Sequence, residues 1–178
     1  MEREALLDKR NKILTCLSCL PQKILLLHGR ENIMEFVLHD LVQETCFDLK
    51  AAAYFVNNPD FNCLKGVTGI AQQEVPQGLW DNIWRQHEMF STYMRNSPFN
   101  RKVRGFNQCS LESSVNPNDE IVHDVARKLG MSRPAFYSLD MKHDNHGFFI
   151  FEKNNYNDTT VDELMLNGVS LLGFCPVF

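Results

Sequence analysis

The chain has 178 residues, 44% of them apolar and 22% charged, with a formal net charge of −4. That length suits one globular domain, and the composition excludes a disordered chain. The acidic balance argues against a nucleic-acid partner, which needs a basic face, and no stretch approaches the ~20 apolar residues of a membrane-spanning helix.

The opening Met1-Glu2-Arg3-Glu4 lacks the basic start and apolar stretch of a secretory signal, so a cytoplasmic chain is expected. Residues 2–20 are rich in helix formers, with Leu6, Ile13, Leu17 and Leu20 on one seam that Ile24 and Leu27 continue past Pro21. Proline removes a backbone donor and clashes with the preceding turn, so an interruption is expected there. Residues 1–29 read as a helical arm, packing either on a twin subunit or on its own domain, and residues 30–178 as the domain proper.

A helix is expected from Arg30 to Thr45, where Ile33, Phe36, Val37 and Leu41 oppose Asp40 and Glu44 at helical period. Ala51–Val56 reads as a mostly buried strand. Asn57-Asn58-Pro59-Asp60 is turn chemistry, and Phe61–Ala71 completes a hairpin. Pro76 and Gly78 mark a boundary before a helix expected over Leu79–Phe90. Residues 91–117 are the least regular part, with one short strand expected at Val103–Cys109. Asn118 or Asp119 caps a helix over Glu120–Leu129 that Gly130 ends. Strands follow at Pro134–Met141 and His146–Lys153, joined by the polar turn Lys142-His143-Asp144-Asn145. Phe148 and Ile150 alternate with Phe149 and Phe151, so the second of these strands is apolar on both faces and central. Asp158–Glu163 opens a closing helix, with acidic residues in the first turn where the helix dipole favours them, and Pro176 ends it.

This order of elements, and above all Asp124–Met131 running into Pro134–Leu139, a polar turn and His146–Phe151, resembles the GAF domain over about residues 30–172. The autoinducer-binding domains of quorum-sensing regulators are similar in architecture. The resemblance implies an α+β fold, a central antiparallel five- to six-stranded sheet flanked by helices in the GAF/PAS-like manner, with the helical arm in front. It also implies a sensory domain in signal transduction or transcriptional control.

Trp80 and Trp84 lie one helical turn apart, so their rings share a side. With Tyr54, Phe99, Phe106 and Tyr137 they are the candidate walls of an apolar pocket for an unknown small organic ligand. Core packing is the plainer reading of the same aromatics, and it leads to the alternative of a protein-interaction or dimerisation module whose pocket its own side chains fill. A homodimer through the N-terminal helices is expected in either case.

The six cysteines mostly adjoin apolar residues, as in Cys46-Phe47, which fits buried, reduced thiols. Cys16-Leu17-Ser18-Cys19 has redox spacing but sits inside a helix, away from the strand-to-helix context that such chemistry uses. His143, Asp144, Asn145 and His146, with Asp140, could offer metal ligands, yet they occupy a turn where polar residues belong. A thiol-dependent reductase working through Cys63 and Cys109 is the third possibility. The chain has no G-x-S-x-G, glycine-rich phosphate loop or H-E-x-x-H, so it is read as non-catalytic, with no cofactor and no metal.

Overall fold

A computed structural model describes residues 2–27, 29–58, 63–76, 82–109, 119–141, 145–156 and 160–175. Helix α1 (Glu2–Leu26) continues through Pro21 without a break, contrary to the expected interruption. Ile13, Leu20 and, just beyond the helix, Leu27 are buried, so apolar contacts on both sides of the proline hold the helix against its lost hydrogen bond. The seam that could have met a twin packs largely on its own domain, although Leu6 at its start is exposed.

Helix α2 (Ile33–Val42) is buried along nearly its whole length. It leads through a tight turn, with Asp48 at φ 51°, into strand β1 (Leu49–Asn58). β1 pairs antiparallel with β2 (Cys63–Ala71), from Ala51↔Ala71 to Asn58↔Cys63. A register shift opposite Tyr54 and Phe55 makes Val67 a bulge on β2. The expected bend residues Pro59 and Asp60 lie outside the described residues.

The next expected helix, over 79–90, is displaced. Residues 77–81 lie outside the described residues, 82–86 form a turn, and helix α3 runs His87–Asn96. A short helix α4 (Pro98–Arg104) follows at once, within the stretch read as irregular. The break has a local cause. A residue before proline avoids helical backbone, and Ser97 then caps α4, its Oγ accepting from Asn100 N at 3.1 Å, with Pro98 in the first turn.

Strand β3 (Asn107–Cys109) adds three residues to the edge of β2, less than the strand expected over 103–109. Helix α5 (Asp119–Leu129), strands β4 (Ala135–Asp140) and β5 (His146–Lys153), and helix α6 (Thr160–Ser170) follow as expected. The β4–β5 hairpin closes with Met141 N donating to Asn145 O at 2.8 Å.

The result is α+β. Four longer strands and the short β3 form one antiparallel sheet, in the order β3-β2-β1-β5-β4. Side-chain alternation divides the core in two. Ala52, Tyr54, Phe149 and Phe151 face α1, α2, α3 and α6. Ala53, Phe55, Phe148 and Ile150 face α4 and α5. Each Phe or Ile side chain among them contributes roughly 1.5–3 kcal/mol on burial. The chain crosses from one face to the other around the β2 edge, between α3 and α4. Among the described residues no helix is long and apolar enough to cross a membrane.

Candidate functional site

An open β-strand edge presents unpaired backbone groups that must be covered. β3 covers only Cys63–Lys65 of β2. Beyond it, Gly66 N donates to Phe106 O at 2.9 Å, and Gly69 N donates to the side chain of Asn100 at 2.9 Å. Helix α4 lies so close here that a Cβ on Gly66 would stand 1.8 Å from Val103 O, and one on Gly69 would stand 2.5 Å from Val103 Cγ2. Only glycine fits at either position.

Asn100 is fully buried and uses its whole amide. Its Oδ1 accepts from Gly69 N and from Thr68 Oγ1 at 3.1 Å, while Nδ2 donates to Met94 O at 2.8 Å and to Glu35 Oε1 at 3.3 Å. It therefore fixes β2, α3, α4 and α2 to one another. Glu74 ties the same junction from the other side, accepting from Ser97 Oγ at 2.7 Å and from Phe99 N.

Beside this junction lies a half-open cleft of about 750 Å³. Its walls are Gly29–Asn32 with Met34 and Glu35, the stretch Lys65–Thr68 containing the bulge, Glu88, Ser91 and Arg95 of α3, and Arg104. Gly29, at φ 91°, makes the turn into α2 that a side-chain-bearing residue resists.

Glu35 is the buried carboxylate of the cleft, only 4% exposed. Burial lifts its pKa above the usual carboxylate range, against the opposing pull of a hydrogen bond from Asn32, the Arg104 charge, a hydrogen bond from Asn100 and the Arg95 charge. The opposition is weak because these contacts are long, 3.4 Å to Asn32 and 3.4 Å to Arg104 Nη1. Asn32 bonds Ser91 Oγ more closely, at 2.6 Å.

The cleft holds four cations, Arg30, Lys65, Arg95 and Arg104, against three carboxylates, Glu31, Glu35 and Glu88. Two of the cations are committed: Arg30 pairs with Glu88 at 3.0 Å and Arg104 with Glu35. Arg95 only donates to its own helix, at 3.4 Å to Ser91 O and 3.3 Å to Thr92 Oγ1. Neither Arg95 nor Lys65 has a carboxylate within ion-pair range among the described residues.

The aromatic set expected to wall a pocket is divided by the sheet. Tyr54, Trp84 and Tyr137 belong to the α1/α2 side, Phe99 and Phe106 to the α4/α5 side, and Trp80 lies outside the described residues. Tyr54 is fully buried, crosses over Gly147, and its Oη donates to Met141 Sδ at 3.5 Å; burial pushes its pKa up to about 12. Trp84 packs on Phe36 at 5.4 Å and donates from Nε1 to Asp40 Oδ2 at 2.9 Å, with Lys23 over its ring. Tyr137 stacks on Phe151 at 5.8 Å. Phe106 meets Phe55 edge-on at 5.7 Å, and Phe99 lies against Gly69. These rings fill space; none of the five lines the cleft.

Of the other motifs, Cys16 is half-buried with its thiol 3.9 Å from Asp40 O, and Cys19 is exposed. Cys63 donates to Asn107 Oδ1 at 2.6 Å, and its backbone pairs in register with Cys109. His143 and Asp144 lie outside the described residues, and His146 Nδ1 sits 3.1 Å from Asp140 Oδ1. Among the described residues no three His, Cys, Asp or Glu side chains gather around a common point.

Fold and site together define an α+β domain with a charged cleft at one edge of its antiparallel sheet. Comparison with protein families, curated proteins and solved structures finds no match for this chain.

Proposed function

We propose that the chain is a non-catalytic ligand-binding regulatory domain, GAF-like in plan, whose small-molecule ligand occupies the cleft beside β2. The observation that carries this reading is the cleft itself. Its volume, about 750 Å³, lies within the ~300–1,000 Å³ typical of small-molecule sites, and its buried polar groups Glu35 and Thr68 are held by the fully bonded Asn100. The five- to six-stranded GAF/PAS-like pattern and a cytoplasmic setting, which suits the free thiols, belong to the same proposal.

Helix α2 supplies a route for the signal. Its first turn carries Glu35 in the cleft wall, and a turn and a half later Asp40 accepts from Lys23 of α1 at 2.7 Å and from Trp84. A ligand that binds one position of α2 better than another biases α1 by that difference in affinity. A thermal-shift screen against a metabolite library tests the reading. Hits are expected to lose their effect in Ser91→Trp, whose indole would occupy the cleft. A library that shifts nothing, or hits indifferent to that substitution, refutes it.

A second reading, an interaction or homodimerisation module, is favoured by one feature. Leu7, Leu14 and Leu25 are 53%, 44% and 70% exposed and recur on one flank of α1, beside its buried face. Light scattering on Leu7→Lys/Leu14→Lys is the test: a dimer that becomes a monomer supports the module, and a wild-type monomer removes it.

A further inference from the structure

The identity of the ligand can be taken one step further from the charges that the cleft leaves unspent, an inference that rests on the cleft being the ligand site. The whole chain is acidic, at −4, yet this cavity collects four of its cations. Ion pairing accounts for Arg30 and Arg104. Among the described residues Arg95 and Lys65 remain without a carboxylate partner, one from α3 and one from β2, and both line the same cleft. Asn32, where the chain enters α2, lines the cleft as well, and its side chain makes no bond to the first amides of the helix, so the positive end of the α2 dipole adds to the same field.

The buried group in the wall fits the same reading. Glu35 bonds Arg104 and Asn100 of α4 and Asn32 just before its own helix, and shares the cleft wall with Arg95 and Ser91 of α3 and Lys65 of β2; among the described residues Glu31, Arg30 and Glu88 are the other titratable groups of that wall. A carboxylate this deep with only long hydrogen bonds accepts a proton more readily than an ordinary one.

We propose that the cleft takes a small organic anion, a carboxylate or phosphate oxyanion held between Arg95 and Lys65 beside the first turn of α2. Arg95 makes the principal contact, since its planar fork suits both kinds of oxyanion. Lys65 adds a point charge.

Calorimetric titration of the full chain tests this at constant ionic strength, with inorganic phosphate and succinate as probes and putrescine as the cationic control. Phosphate or succinate should bind and putrescine should not. Arg95→Ala should weaken binding roughly tenfold or more, the scale of a lost charge-assisted hydrogen bond, and Lys65→Ala less. Arg10→Ala, which removes a remote surface pair with Glu163, should change nothing. Both test residues are exposed, so unchanged circular dichroism certifies the fold. Tighter phosphate binding indicates a phosphoester ligand and tighter succinate binding a carboxylate; either outcome upholds the proposal. Absence of anion binding, or equal binding by wild type and Arg95→Ala, overturns it. The reading of the cleft as a ligand site fails separately: neutral or cationic library hits blocked by Ser91→Trp would keep that reading while ending this one.

Discussion

Asn100→Ala strikes the junction on which the cleft is built. The side chain is fully buried and makes four hydrogen bonds. Thr68 and Glu35 border the cleft and can turn to water there after truncation. Gly69 N–H and Met94 C=O cannot, because α4 covers the strand edge at Gly69 and Met94 is fully buried in α3. Two backbone groups left buried without partners cost about 1–3 kcal/mol each, so the expected loss is roughly 2–6 kcal/mol. That is a large share of the ~5–15 kcal/mol by which a domain is stable. At ~2–4 °C per kcal/mol for a chain of this size, even a loss of about 3 kcal/mol lowers Tm by about 6–12 °C. Urea unfolding followed by circular dichroism gives the free energy, and a thermal melt gives the shift. A loss below about 1 kcal/mol would mean that Asn100 does not hold the strand edge, and the account of the junction would fail.

Glu35→Gln tests the buried carboxylate. The folded state holds the Glu35 proton to a higher pH than the unfolded chain does, so ionisation costs stability as pH rises from the ordinary carboxylate range through the raised folded value. The variant should therefore be more stable than wild type at neutral pH, with the gain fading toward about pH 4; urea midpoints at the two pH values decide, and a gain that persists unchanged in acid refutes the assignment. Gly66→Ala places a methyl 1.8 Å from Val103 O and should destabilise by about 3 kcal/mol or fail to fold. Gly173→Ala, with nothing within 4 Å of its added carbon, should be neutral in the same melt. Thiol labelling should modify Cys16 while sparing Cys46 and Cys175 in the native state. Cys16 is half-buried, and the hydrogen bond from the Cys46 thiol lowers its pKa against the effect of burial; Cys46 is held far above the usual thiol range by that same bond and by burial. Burial pushes Cys175 up to about 12. Mass spectrometry of labelled peptides reads the order, and early labelling of Cys46 contradicts it.

Both hairpins are legible in the sequence because a strand pair leaves a local signature: apolar or alternating runs on either side of a polar bend, as in 51–71 and 134–153. β5 is legible for the same reason, since Phe148–Phe151 can only be buried on two faces. α4 is not, because Ser97-Pro98 reads as punctuation when it is also a cap followed by a first-turn proline. With α4 unseen, the passage of the chain around the β2 edge is unseen too, and with it the side of the sheet to which Phe99 and Phe106 belong. Aromatic spacing reports burial but not which layer does the burying. The cleft escapes for a different reason. Its groups come from residues 29–35, 65–68, 88–95 and 104, and Asn100 beneath them carries no motif. One partial signal exists: Glu88, Ser91 and Arg95 stand three and four residues apart on a polar face, which a helix ending at Phe90 truncates.

The most direct measurement for the cleft is amide chemical-shift mapping of the full chain during titration with succinate or phosphate. The account predicts that perturbations concentrate in Arg30–Glu35, Lys65–Thr68 and Ser91–Arg95, with smaller changes passing along α2 toward Asp40. Perturbations centred instead on Tyr54, Trp84 and Tyr137, with the cleft residues silent, would contradict it.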